Sequence, residues 1–103
     1  MVDQLIFDVI KDIIVTVPGV ISFANSSAKL DQDIKTNDIS QAVEISSAAE
    51  VIRIKIHIIL INGVNIREVV SEIQTRVKYE LEKQNQFVRN YMVDVAIDDL
   101  EIL

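Results

Sequence analysis

The sequence has no cysteine and no tryptophan, and only one proline, two glycines and one histidine among its 103 residues. Each shortage removes a class of function. Without cysteine there is no disulfide, no thiol nucleophile and no thiolate metal site. Gly19 and Gly63 stand far apart, so no glycine-rich loop can cradle a phosphate. Aromatic residues make up 5% of the chain. A sheet that stacks RNA bases needs exposed aromatics or a GxxG loop, and neither is present. With His57 as the sole imidazole, most nucleophile, base and oxyanion-donor constellations lack a member. Positive charge is scarce too: 10 Lys and Arg face 16 Asp and Glu, for a net charge of -6. That balance excludes nucleic acid and anionic lipid as direct ligands, because both need clustered cations.

Long hydrophobic runs are also missing. The apolar stretch from Leu5 is broken by Asp8, Lys11, Asp12 and Pro18. The run around Ile58 is far too short for a bilayer. Met1 to Gln4 carries no basic segment of the secretory kind. These features predict a cytoplasmic protein with no direct membrane span, held at a membrane only through a partner.

What remains is a chain that is 50% hydrophobic and 25% charged. That is too apolar for disorder and enough for one domain over residues 1–103. Ile6, Val9, Ile10, Ile13, Ile14 and Val17 recur at helical spacing, so a helix is predicted over residues 5–17. Pro18-Gly19 ends it. A short strand follows over residues 20–25. Residues 26–40 are polar, acidic and aperiodic, and read as a long mobile loop.

Strands are predicted over residues 42–46 and 51–61, joined as a hairpin by a four-residue turn. In the second strand Ile52, Ile54, Ile56, Ile58 and Leu60 point one way, while Val51, Arg53, Lys55, His57, Ile59 and Ile61 point the other. The turn length sets Glu44 opposite Arg53, Val43 opposite Ile54 and Ile45 opposite Ile52. Next, Ile66, Val69, Val70, Ile73, Val77 and Leu81 mark a helix running to about residue 85. Asn65 and Glu68 have capping-box spacing at its start, and Glu72 and Arg76 are i, i+4 neighbours on its wet face. A last strand spans residues 91–98. A helix between the third and fourth strands is a right-handed crossover, which makes those strands parallel. The expected fold is α+β: a two-layer sandwich of a four-stranded mixed sheet with both helices on one face, in the order α-β-β-β-α-β.

Candidate chemistry is thin. His57 has no second ligand type beside it, so neither a zinc site nor a catalytic role is predicted; it reads as a half-exposed strand residue. Asp94 and Asp98 share a strand face but lie about 13 Å apart, wider than the roughly 5–9.5 Å of glycosidase carboxylate pairs. Asp98, Asp99 and Glu101 lack the calcium-loop pattern and its glycine. Glu44, Asp94 and Asp98 serve more simply as counterions for Arg53 and Lys55. No catalytic, metal or cofactor residue is therefore assigned.

Taken together, Val17-Pro18-Gly19-Val20, the alternating strand from Ile52 to Leu60 running into Asn62-Gly63, Ile66-Arg67-Glu68-Val69 with Ile73-Gln74 and Val77, and the closing Val93-Asp94-Val95-Ala96-Ile97 resemble the alkaline shock protein family of Gram-positive bacteria. The resemblance covers nearly all the chain outside residues 26–40, where an acidic loop replaces the family's glycine-rich segment. It implies a non-enzymatic protein of cell-envelope homeostasis and stress, acting through self-association or a membrane-anchored protein partner. It carries over no catalytic residue.

The residues themselves suggest where such contacts could lie. Arg53, Lys55, His57, Ile59 and Ile61 form the sheet face that the helices leave open: an apolar end beside a charged stripe. The competing expectation is that residues 100–103 fold back over Ile59 and Ile61. A different class of function, a small-molecule-binding or regulatory module linked to lipid metabolism, would call for a formed apolar pocket.

Overall fold

The computed structural model describes residues 2–25, 35–48, 50–84 and 90–102. Helix α1 spans Val2–Ile14. Its stripe, Ile6, Val9, Ile10, Ile13 and Ile14, is buried as the spacing predicts. The helix ends at Ile14 rather than at residue 17. Thr16 turns its backbone N–H (3.0 Å) and its hydroxyl (2.8 Å) onto the Ile13 carbonyl. These bonds tighten and close the last turn. Val17 is still buried beyond the helix end.

Five strands form the sheet, not four: β1 (Val20–Ala24), β2 (Lys35–Thr36), β3 (Val43–Ala48), β4 (Val51–Ile61) and β5 (Asn90–Glu101). Two further helices complete the described chain, α2 (Ile39–Ala42) and α3 (Ile66–Gln84). Part of the expected loop is therefore ordered. Lys35 and Thr36 pair with Ala24 and Phe23. Asp38 caps α2 by accepting from the Ser40 N–H at 3.0 Å, and Ala42 is fully buried. Elements of two and four residues are too short to show a period, which is why they read as loop. The remainder of that expectation, residues 26–34, lies outside the described residues, as do residue 85 and Leu103.

Strand β4 organises the sheet. Along one edge it pairs in parallel with β5 over its whole length. The other edge is shared, antiparallel, by β3 against residues 51–56 and β1 against residues 58–60. Its apolar face, Ile52, Ile54, Ile56, Ile58 and Leu60, joins α1 and α3 in one core with Ile73, Val77, Leu81 and Val93. Fully burying each such aliphatic stabilises by about 1.5–3 kcal/mol, so this row alone explains the two-layer arrangement. The parallel crossover and the placement of both long helices on this face follow the expectation.

The hairpin register does not. Val43 pairs with Ile56, Glu44 with Lys55 and Ile45 with Ile54. Ala48 pairs with Val51, so two residues rather than four make the turn. The shift is even, and every side chain keeps its expected face. At α3 the Asn65 half of the expected capping box is present: its carboxamide oxygen accepts from the Glu68 N–H at 3.1 Å. The Glu72–Arg76 pair forms at 3.2 Å.

Gly19 turns the chain from α1 into β1 at φ +93°, and a Cβ there would meet Val64 Cγ1 at 2.9 Å. Its carbonyl accepts from the Ile61 N–H at 2.9 Å, so the turn is anchored to the end of β4. Gly63 has φ +99° but open space around it. Gly19→Ala is expected to destabilise by about 1–3 kcal/mol, and Gly63→Ala by only about 1 kcal/mol. Chemical denaturation of the two variants tests the order; equal losses would mean that Val64 makes no demand on Gly19.

Candidate functional site

The face of the sheet turned away from the helices carries Glu44 and Ser46 from β3, Arg53, Lys55, His57 and Ile59 from β4, and Met92, Asp94 and Ala96 from β5. Arg53 and Lys55 are exposed there. The carboxylates of Glu44 and Asp98 do not serve them. Both go to His57. Its Nδ1 lies 2.9 and 3.1 Å from the two oxygens of Asp98, and its Nε2 lies 2.6 Å from Glu44 Oε2. The imidazole therefore ties β3, β4 and β5 together.

His57 is 8% exposed, not half-exposed as its position in the pattern suggested. Two causes act together. The true register sets Glu44 opposite Lys55, diagonal to His57 and within its reach. On the other side, the β4–β5 ladder skips a residue: Ile58 pairs with Ile97 but Ile59 with Asp99. Asp98 is the extra residue of that bulge, and the bulge re-aims its side chain onto the ring. An imidazole donates from both nitrogens only when both carry protons; a neutral ring donates from one. Each ring nitrogen has a carboxylate oxygen within 2.9 Å and the residue is buried, so both nitrogens are held against neighbouring strands. Among the described residues no group of His, Asp and Glu is arranged to hold a metal ion.

Ile59 is the second correction on this face. It is 1% exposed, and like Ala24 it is buried outside the main core. The sheet curls at this end. β1 and β5 flank β4, yet approach within 8 Å at Cα. Lys35, paired with Ala24, reaches across to Glu101, paired with Ile61, at 2.7 Å. Residues 100 and 101 do not fold back over the face; they continue β5 beside Leu60 and Ile61. Of the five residues expected to form an open patch, Arg53 and Lys55 are exposed, Ile61 is half-buried, and His57 and Ile59 are interior.

The exposed part of the face is a shallow depression of about 350 Å³, with Glu44, Ser46, Arg53, Lys55 and Asp94 among its lining residues. Its charges alternate in sign along the sheet. It can form ion pairs with a protein surface.

Removing the central ring leaves two acids facing each other. His57→Ala is expected to cost about 1–3 kcal/mol. Asp98→Asn should cost more than Glu44→Gln, because the Asp98 side chain is 28% exposed and that of Glu44 57%. Ile59→Arg is expected to unfold the domain, as Ile58→Arg should, since each buries an unpaired charge. Urea titration followed by circular dichroism reads all of these. A folded Ile59→Arg protein would contradict the curl.

No curated protein and no solved structure matches the chain. A match does come from the alkaline shock protein 23 family, described as having a cell envelope-related function, and it runs over residues 1–102. No helix among the described residues is long and apolar enough to cross a membrane. The protein belongs to the alkaline shock protein family.

Proposed function

We propose that the chain is a non-enzymatic interaction or scaffold protein, serving cell-envelope homeostasis or the stress response by self-association or by binding a membrane-anchored protein partner. One observation carries this reading: the only histidine is interior, with a carboxylate on each ring nitrogen. The residue best suited to proton transfer is thereby committed to holding strands together. The cell envelope-related function of the family supports the cellular side. Large apolar side chains at the surface, including Val15, Tyr79, Met92 and Ile102, provide contact area for a protein partner.

A small-molecule-binding or regulatory role linked to lipid metabolism has one observation in its favour. A cleft of about 410 Å³ lies between α1 and α3, lined in part by Val9, Ile13, Tyr79, Asp12, Arg76 and Glu80. That size suits a small ligand. Its guanidinium, however, is already engaged by Glu72 at 3.2 Å, so assembly is the better-supported reading.

Light scattering from low to high micromolar concentration tests the proposal, together with cross-linking in the native cell. The expected result is a mass rising above the 11.6 kDa of one chain, or a protein partner cross-linked in the membrane fraction. A constant 11.6 kDa with no cross-linked protein would overturn it.

A further inference from the structure

We propose that the groove between α1 and α3 is the docking site for a segment of a partner protein that inserts an arginine side chain beside Asp12 and Glu80. The inference rests on the interaction reading above and names the surface and the chemistry of the partner.

The cleft of about 410 Å³ between the two helices has a partner for each part of such a side chain. Val9 and Ile13, 6% and 5% exposed, give it an apolar base. Tyr79 lines it with 62% of its surface exposed. Asp12 and Glu80 line it too, and among the described residues no hydrogen bond or ion pair engages either carboxylate. Arg76 also faces the cleft, but its guanidinium is held by Glu72 at 3.2 Å. Lys83, within one turn of Tyr79 and Glu80 on α3, forms no ion pair with Glu80 among the described residues. A guanidinium stacks on an aromatic face and bonds carboxylates through its planar fork, while its stem covers apolar surface.

Shape and charge select the occupant. The cleft shares Thr75 and Arg76 with a second, shallower depression of about 510 Å³ on α3 that reaches back to Arg67. From Arg67 to Gln84 the two extend for about 25 Å at the helical rise per residue. That is longer than a small ligand and matches about eight residues of extended chain. Along this length Asp12, Glu68, Glu72 and Glu80 outnumber Arg67 and Arg76. The chain as a whole carries a net charge of -6. Both facts favour a basic segment over a second acidic copy at this surface.

The probe is a fluorescent, end-capped peptide of about eight residues, with alanine and serine around a central leucine-arginine-leucine. Binding is followed by anisotropy and by amide chemical shifts of the full chain. Two control peptides replace the arginine with lysine or with citrulline, which keeps the shape and loses the charge. The arginine peptide should bind, with shifts confined to residues 9–13 and 67–84. The citrulline peptide should bind about tenfold more weakly. The lysine peptide should bind about threefold more weakly, since an ammonium has no planar fork. Asp12→Asn combined with Glu80→Gln should abolish the preference for arginine over citrulline. Tyr79→Leu should reduce that preference while leaving citrulline binding unchanged, because only the charged group gains from the ring. No binding, equal binding of the citrulline peptide, shifts centred elsewhere, or a preference that survives the double variant would each overturn the proposal. Ethylguanidinium binding as tightly as the peptide would make the cleft a small-cation site and overturn the docking of a protein segment. If the peptide fails while the chain still assembles or cross-links to a partner, only this groove is wrong. Loss of both assembly and cross-linking removes the scaffold reading itself.

Discussion

Backbone pairing along both edges of β4 is the constraint on which the rest of this structure depends. A strand of eleven residues with neighbours on each side must dispose of two faces. Five aliphatics on one face require a helical layer, and α1 and α3 supply it with matched apolar stripes. The other face is polar through Lys55 and apolar at Ile59, so it cannot be treated uniformly. The sheet stays open where the charges are and curls where the aliphatics are. Bulges in β1 near Ile21 and in β5 at Asp98 allow that change of curvature.

The parts legible in the sequence are those with a period long enough to repeat. The stripes from Ile6 to Ile14 and from Ile73 to Leu81, the Asn65–Glu68 cap and the two faces of β4 follow from spacing alone. β2 and α2 escaped because they are too short to repeat, although Asp38 carried a capping signal. The environment of His57 escaped for a different reason. Glu44, His57 and Asp98 were all assigned to the polar face, but their meeting depends on turn length and on a bulge. Apolar alternation reports neither. A turn of four residues moves Glu44 to Arg53, away from the ring, and an unbroken β5 ladder leaves Asp98 with no reason to turn back.

Among the described residues β5 and β3 each pair with β4 alone. On β5, Gln74 bonds the Val93 carbonyl from α3. On β3 the edge is only six residues long, and short edges offer little template. Neither strand carries a lysine of its own. That fits a chain with few cations, two of which, Arg53 and Lys55, stand mid-strand on β4.

The cluster around buried His57 answers a question that the apolar residues leave open. Val43 and Ile45 meet isoleucines whether the hairpin is set in the observed register or two residues away. Hydrophobic pairing alone therefore separates the two alignments weakly. The polar face separates them strongly. In the observed register Glu44 reaches His57 at 2.6 Å. Slipped by two residues, the carboxylate would face Arg53 instead, and the ring would be left buried with one partner fewer. Replacing such a cluster with apolar residues of equal volume is often neutral for stability. Its value here is alignment: one imidazole checks β3 through Nε2 and β5 through Nδ1, so both neighbours of β4 are registered against the same residue.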